Sequence, residues 1–249
     1  DGTRVAVATT DVVIWNVEDG KELRRFDSHQ GEVFSVDWSP DGRFLASCDQ
    51  GSMIRVWNVD SGQEEASAPL PKDPSFDYQQ IDVRWSPNPD AKRLAVSYGG
   101  QVFILESESL ATIHTLESPE ASPVSSLAWH PDSSRIAFGN GSGYVRILDS
   151  ESGQLVREFQ AHEHHAAGLD WNPDGSRLAS AGADRMIRVW DPETGLVGLT
   201  IQGSRYAVND LDWSPDGTRL VSSDPNYLSI WDGRKREERR PADDSAGKR

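Results

Sequence analysis

Three stretches of this chain carry residue types that could do chemistry. His162, His164 and His165 surround Glu163 in one short loop, and clustered imidazoles are the composition of a divalent-cation site. Adjacent His164 and His165 would point to opposite faces of an extended chain, which works against a shared ion. His162, Ser180 and Asp184 have the composition of a hydrolytic triad, a reading that requires an exposed hydroxyl beside an oxyanion hole and a substrate pocket. Residues 139–143, GNGSG, are glycine-rich, but they lie between two strand-like runs with no helix after them, so they read as a connection and not a phosphate loop. Catalytic, cofactor and obligate metal residues are all expected to be none.

The elements that position these residues repeat. Trp38, Trp85, Trp129, Trp171 and Trp213 each precede a Ser-, His- or Asn-Pro pair, at separations of 47, 44, 42 and 42 residues. Trp15, Trp57, Leu105, Leu148, Trp190 and Trp231 form a second series, spaced by 42, 48, 43, 42 and 41. The first position ends a strand with a bulge near its start (Val33, Val36, Trp38); a turn follows, Pro-Asp-Gly at 40–42, 173–175 and 215–217, and then two further strands, the second ending at the second position. A second turn, as at Asp60-Ser61-Gly62, leads to a weaker fourth strand. Four short strands in about 42 residues describe one blade of a β-propeller.

The pattern resembles the WD-repeat β-propeller family over residues 1–232. Trp190-Asp191 and Trp231-Asp232 match the family's dipeptide; Trp15-Asn16 and Trp57-Asn58 nearly do, and Leu105 and Leu148 replace the tryptophan. The resemblance implies an all-β fold of four-stranded antiparallel blades, five to six of them present, with the ring possibly incomplete. It also implies a hydrogen-bonded structural brace: His162, Ser180, Asp184 and Trp190 in one repeat, and His29, Ser47 and Trp57 in another, where Gly51 stands in place of the aspartate. On that reading the apparent triad is internal bracing. Repeats are expected at about 1–27, 28–70, 78–117, 121–160, 161–202 and 203–232, with a long loop at 67–80. The repeats open on a second strand and close on a third, 22 strands in all, so a fragment with blade material upstream of Asp1 is expected.

Composition bounds the function. The 249 residues include 40 acidic and 25 basic side chains, a net charge of −15, which disfavours nucleic acid as a partner. Residues 233–249 hold seven basic and four acidic residues and are expected to be a disordered basic tail. No run reaches membrane-spanning length, and lone Cys48 allows no internal disulfide. A cytoplasmic location is the expectation.

The resemblance points to a non-enzymatic scaffold that binds proteins or peptides on the face where first strands begin. The residues expected there are His29, Gln30, Glu32, Tyr78, Gln79, Glu163, His164, His165, Arg205, Tyr206 and Asn209. Tyrosine and arginine suit such a face because they bury area while keeping polar tips. The regular repeats resemble prokaryotic members, which suggests a docking or sensor part of a larger signalling protein such as a serine/threonine kinase. The rival is a propeller-based enzyme or metal-binding hydrolase.

Overall fold

A computed structural model describes residues 2–71, 81–118, 122–202 and 204–234. Its 22 strands pair antiparallel with their chain neighbours in six sheets, the blades of a β-propeller. Blade one is β1 (Arg4–Ala8), β2 (Val12–Asn16) and β3 (Glu22–Phe26). Blade two is β4 (Val33–Trp38), β5 (Phe44–Asp49), β6 (Met53–Asn58) and β7 (Glu64–Pro69). Blade three is β8 (Ile81–Trp85), β9 (Arg93–Tyr98), β10 (Gln101–Glu106) and β11 (Thr112–Glu117). Blade four is β12 (Val124–Trp129), β13 (Arg135–Asn140), β14 (Tyr144–Asp149) and β15 (Leu155–Gln160). Blade five is β16 (Ala166–Trp171), β17 (Leu178–Gly182), β18 (Met186–Trp190) and β19 (Val197–Gln202). Blade six is β20 (Asp210–Trp213), β21 (Arg219–Ser223) and β22 (Leu228–Asp232).

Turn chemistry sets these boundaries. In the Pro-Asp-Gly turns the aspartate accepts from the amide two residues on (Arg43 at 3.0 Å, Ser176 at 2.8 Å, Thr218 at 3.0 Å), and Gly42 takes the φ of 69° that a side chain disfavours. Asp191 caps the later turn by accepting from Glu193 and Thr194 at 2.9 and 3.2 Å. Asn58 and Asn16 do the same with their amide oxygens, so the Trp-Asn pairs are chemically equivalent to Trp-Asp. The expected bulges fall at Val33/Ser35, Val124/Ser126 and Ala166/Gly168.

Three expected boundaries move. Residues 67–69 of the long loop are the end of β7, where Pro69 sits on an outer strand that needs no further ladder donor; residues 72–80 lie outside the described ones. Gly139 and Asn140 belong to β13, and a Cβ on Gly139 would stand 2.6 Å from the Ala166 carbonyl of the next blade. Gly233 and Arg234 are tied to the body rather than to a free tail: the Gly233 carbonyl accepts from Arg177 at 2.8 Å, and Arg234 pairs with Asp232. Residues 235–249 lie outside the described ones.

The core consists of joints between blades. One and three residues before each Trp/Leu position of the third strand stand apolar side chains that bury against the following blade. Ile54 and Val56 of β6, Val102 and Ile104 of β10, Val145 and Ile147 of β14, and Ile187 and Val189 of β18 are all 0–3% exposed. In blade six the same two positions, Leu228 and Ile230, are 77% and 69% exposed. The complementary second-strand positions are fully buried at Leu45, Leu94, Ile136, Leu178 and Leu220, yet Val5 of blade one is 45% exposed. First strands pack in the sequence β4, β8, β12, β16, β20, with β1 against β4. Cys48 is fully buried, and burial holds its thiol pKa well above the ordinary value, so it behaves as a small apolar side chain.

Because burial and not residue type decides the loss, Ile187→Ala should cost about 2–5 kcal/mol of unfolding free energy. The topologically equivalent Leu228→Ala should change it by less than about 0.5 kcal/mol. Urea unfolding of the two variants measures the contrast, and equal losses would refute this account of the joints.

Candidate partner-binding face around the channel mouth

The presumed triad residues form a buried chain. In blade five the Trp190 indole donates to Ser180 Oγ at 2.8 Å, and His162 Nε2 meets that Oγ at 2.8 Å. His162 Nδ1 meets Asp184 Oδ1 at 2.8 Å, and Arg188 donates to Asp184 Oδ2 at 2.7 Å. With Nδ1–H donating to the carboxylate, Nε2 is left to accept the serine proton; Asp184 Oδ1 also accepts the Met186 amide at 3.1 Å, and Arg188 lies 2.9 Å from His162 Nδ1 as well as on Asp184, so the set is one shared network. Ser180 is 0% exposed and its hydroxyl already has two partners, so no substrate can reach it. Burial lowers the pKa of His162 against the raising effect of Asp184, consistent with a neutral ring.

Blade two closes the same chain with a residue that spacing did not reveal. Trp57 donates to Ser47 at 2.8 Å, Ser47 meets His29 Nε2 at 2.7 Å, and His29 Nδ1 meets Asp49 Oδ2 at 2.7 Å. The carboxylate comes from Asp49, at the end of β5, and not from the connection at Gly51. Blade six keeps the Trp231–Ser222 link at 2.9 Å. In blades three and four, Leu105 and Leu148 replace tryptophan, and buried Val96 and Phe138 replace the serine, so an apolar contact substitutes for the hydrogen bond. His29 is therefore part of the brace and cannot also face a partner: its side chain is fully buried.

The first strands converge on a cavity of about 580 Å3 at the channel mouth, to which five blades contribute. Its lining includes Phe34 and Ser35, Ile81, Asp82 and Arg84, Ser125 and Ser126, His165 and Ala167, and Asn209 and Asp210. Of the expected face residues, the structure brings His165 and Asn209 into this cavity. Gln30, Glu32, Glu163, His164, Arg205 and Tyr206 are exposed in the surrounding loops, Tyr206 at 47%. Tyr78 and Gln79 lie outside the described residues. His162 is committed to the brace, and its loop neighbours diverge, with His164 exposed and His165 turned to the mouth; burial lowers the pKa of His165.

Next to the mouth, acidic side chains that the repeat pattern concealed gather around Arg84. Asp37, Arg84, Ala128, Asp170 and Asp212 each precede the first-strand tryptophan, and the recurring Asp-Trp pair was the cluster's only sign. Asp37 Oδ2 accepts the Trp85 amide, and Asp170 Oδ2 the Trp213 amide, both at 2.7 Å across a joint. Where aspartate is absent, the indole crosses instead: Trp129 donates to the Arg84 carbonyl at 3.1 Å and Trp171 to the Ala128 carbonyl at 3.2 Å. Burial raises the carboxyl pKa of Asp37 to about 6, of Asp170 to about 7 and of Asp210 to about 6. Arg84 opposes those shifts, and nearby Asp82 holds the guanidinium firmly charged.

The comparisons agree with this architecture. The family model described as WD domain, G-beta repeat matches residues 20–58, 153–191 and 197–232, and the anaphase-promoting complex subunit 4 WD40 domain matches 117–167. WD repeat-containing protein SL1-17 of Schistosoma mansoni is 30% identical over 62% of the chain and 50% of its own length. Eukaryotic translation initiation factor 3 subunit I of Candida albicans is 26% identical over 61% and 46%. The chain thus spans half or less of these relatives. A chain in the crystal structure of the mitotic checkpoint complex superposes with a TM-score of 0.80 at 25% identity, covering 92% of this chain and 70% of that one. Repeats, blades and matches together make this chain a WD-repeat β-propeller. The two relatives are eukaryotic and lend no weight to the prokaryotic resemblance.

Two outcomes follow from the polar chains. Ser180→Ala should cost about 1–3 kcal/mol, because it strands the buried Trp190 and His162 nitrogens; unfolding that matches the wild type would refute the brace. Asp170 has a raised folded pKa, so its contribution to stability is full below the unfolded value of 3.8 and is lost as pH rises toward about 7. Asp170→Asn should therefore gain stability relative to the wild type between pH 4 and pH 8, read as the difference in unfolding midpoints. A pH-independent difference would contradict it.

Proposed function

We propose that this chain is a non-enzymatic interaction module that binds a protein or peptide across the channel mouth. The observation that carries the reading is the 580 Å3 cavity itself, where loops from five blades bring an exposed apolar ring, Phe34, beside Asp82 and Asp210. Aromatic anchors ringed by polar groups are the usual composition of a binding hot spot. The carboxylates favour a partner with basic residues, and the net charge of −15 favours the same partner by steering. The WD-repeat relatives support a scaffold role, among them a translation initiation factor subunit. The strongest hydrolase candidate, Ser180, is sealed inside a blade.

Within this reading the module serves as a docking or sensing part of a larger signalling protein, in the cytoplasm, with neither nucleic acid nor metal required. The regular Pro-Asp-Gly repeats support the signalling assignment by resemblance alone.

An affinity pulldown with wild-type chain, Phe34→Ala, and the pair Arg205→Ala and Tyr206→Ala tests the face. Loss of the same bound proteins in the variants, with melting temperature unchanged, is the expected result. Partners retained by every variant would remove the mouth as the binding surface.

A further inference from the structure

The joint between blades two and three differs from its neighbours in a way that leaves a ligand-sized groove. In the other joints, cationic side chains cross from one blade to the turn of the next. At the start of the second strand these are arginines: Arg4 donates to the Gly42 carbonyl at 3.4 Å, Arg93 to the Ser150 carbonyl at 3.0 Å and Arg177 to the Gly233 carbonyl at 2.8 Å. Arg135 reaches the Glu193 carboxylate from the same position. Arg4 and Arg177 also lie over the next blade's tryptophan, 4.9 Å from the Trp38 ring and 5.0 Å from that of Trp213. On the outer strands, Arg24 donates to the Asp60 carbonyl at 2.8 Å, His114 Nε2 contacts the Glu151 carbonyl at 2.8 Å, and Arg157 donates to the Glu193 carbonyl.

Between blades two and three both positions are apolar. Phe44 occupies the arginine position, and Ala66, opposite Val56 in the register, occupies the position of Arg24 and Arg157. Leu110, left-handed at φ 58° where the other turns have glycine, packs into this joint as an aliphatic stem would, but brings no donor. What remains is a cavity of about 450 Å3 lined by Phe44, Val56, Ala66, Trp85, Ser107 and Glu108. Among the described residues no cation crosses this joint to the Ser107 and Glu108 carbonyls, the counterparts of the carbonyls that accept elsewhere. At the rim stand the carboxylates of Asp41 and Glu65. Of the rim cations, Arg93 is spent on blade four, Lys92 pairs with the Glu108 carboxylate at 2.6 Å, and Arg43 lies over the Phe44 ring, 5.5 Å from its centroid, without crossing to blade three.

We propose that this groove is a binding site for an arginine side chain of a partner peptide, which supplies from outside the guanidinium that the chain carries internally at its other joints. The planar ion fits because it can stack on Trp85, as Arg4 and Arg177 lie over Trp38 and Trp213, while its edge donates to the two turn carbonyls; Phe44, itself under Arg43, forms the apolar wall. A lysine ammonium offers no plane to stack and no fork to bridge two acceptors. The site lies on blade turns away from the channel mouth, so it stands or falls independently of the function proposed above.

The test is a titration of the full chain with acetyl-Gly-Arg-Gly-amide, followed by the tryptophan indole signals in proton–nitrogen NMR, with Trp85 assigned through Trp85→Phe. A saturable, millimolar shift of the Trp85 signal is expected, at least several-fold weaker with the lysine peptide and absent with the isosteric, uncharged citrulline peptide. Phe44→Arg, which restores the arginine of the other joints, should abolish the shift while keeping the remaining indole signals in place. Should that variant misfold, a nitroxide-labelled arginine peptide on the wild-type chain decides the matter by broadening Trp85 ahead of the other tryptophans. Equal responses to arginine and citrulline, undiminished binding by Phe44→Arg, uniform broadening, or no saturable response would each overturn the proposal.

Discussion

Every blade here is a thin sheet with two faces, and neither can be buried within the blade itself. The fold therefore depends on one repeated contact, in which apolar third-strand residues of one blade press on the first and second strands of the next. Where that contact exists, Ile187 or Val145 is completely dry; where it does not, the equivalent Leu228 stands in water. Strand pairing, turn capping and the brace all serve to hold each sheet flat enough for this contact to form.

The polar chemistry is subordinate to it and correspondingly variable. A joint can be pinned by an aspartate reaching the next amide or by an indole reaching the previous carbonyl, and both solutions occur in one ring. A blade can be braced by tryptophan, serine and histidine or filled by leucine and phenylalanine. Most buried donors are satisfied or replaced by hydrocarbon, since a stranded one costs more than a hydrogen bond is worth; the indole nitrogens of Trp85 and Trp213, whose backbone amides are the ones held by Asp37 and Asp170, are exceptions, buried without a partner. The apparent catalytic residues belong to this bookkeeping.

Much of the fold was legible because its determinants are local. Tryptophans, Pro-Asp-Gly turns and alternating apolar residues act over a few positions, and the strands follow them closely. Contacts that cross joints were not legible, because they depend on register between sheets. Asp49 completes a brace from a position two residues away from the one the spacing singled out. Asp37, Asp170 and Asp212 carry no mark in the sequence beyond the following tryptophan, and only the packing of the first strands gathers them around Arg84. The binding-face residues were read from loop position alone, which located Asn209 and His165 near the cavity but could not distinguish buried His29 from its exposed neighbours. Ala66 and Phe44 looked unremarkable in sequence, and only alignment through strand pairing shows them as departures.

The strictly sequential pairing has a consequence for how the molecule comes to be. Among the described residues each strand is laddered only to strands next to it in sequence, and each blade after the first packs on the one before it. Loop closures are therefore short and their entropic cost is met a little at a time, which is unusual for an all-β chain of this size. During synthesis each blade after the first emerges onto one already formed, and the stack grows by accretion, the apolar face of its newest blade staying wet until the next arrives.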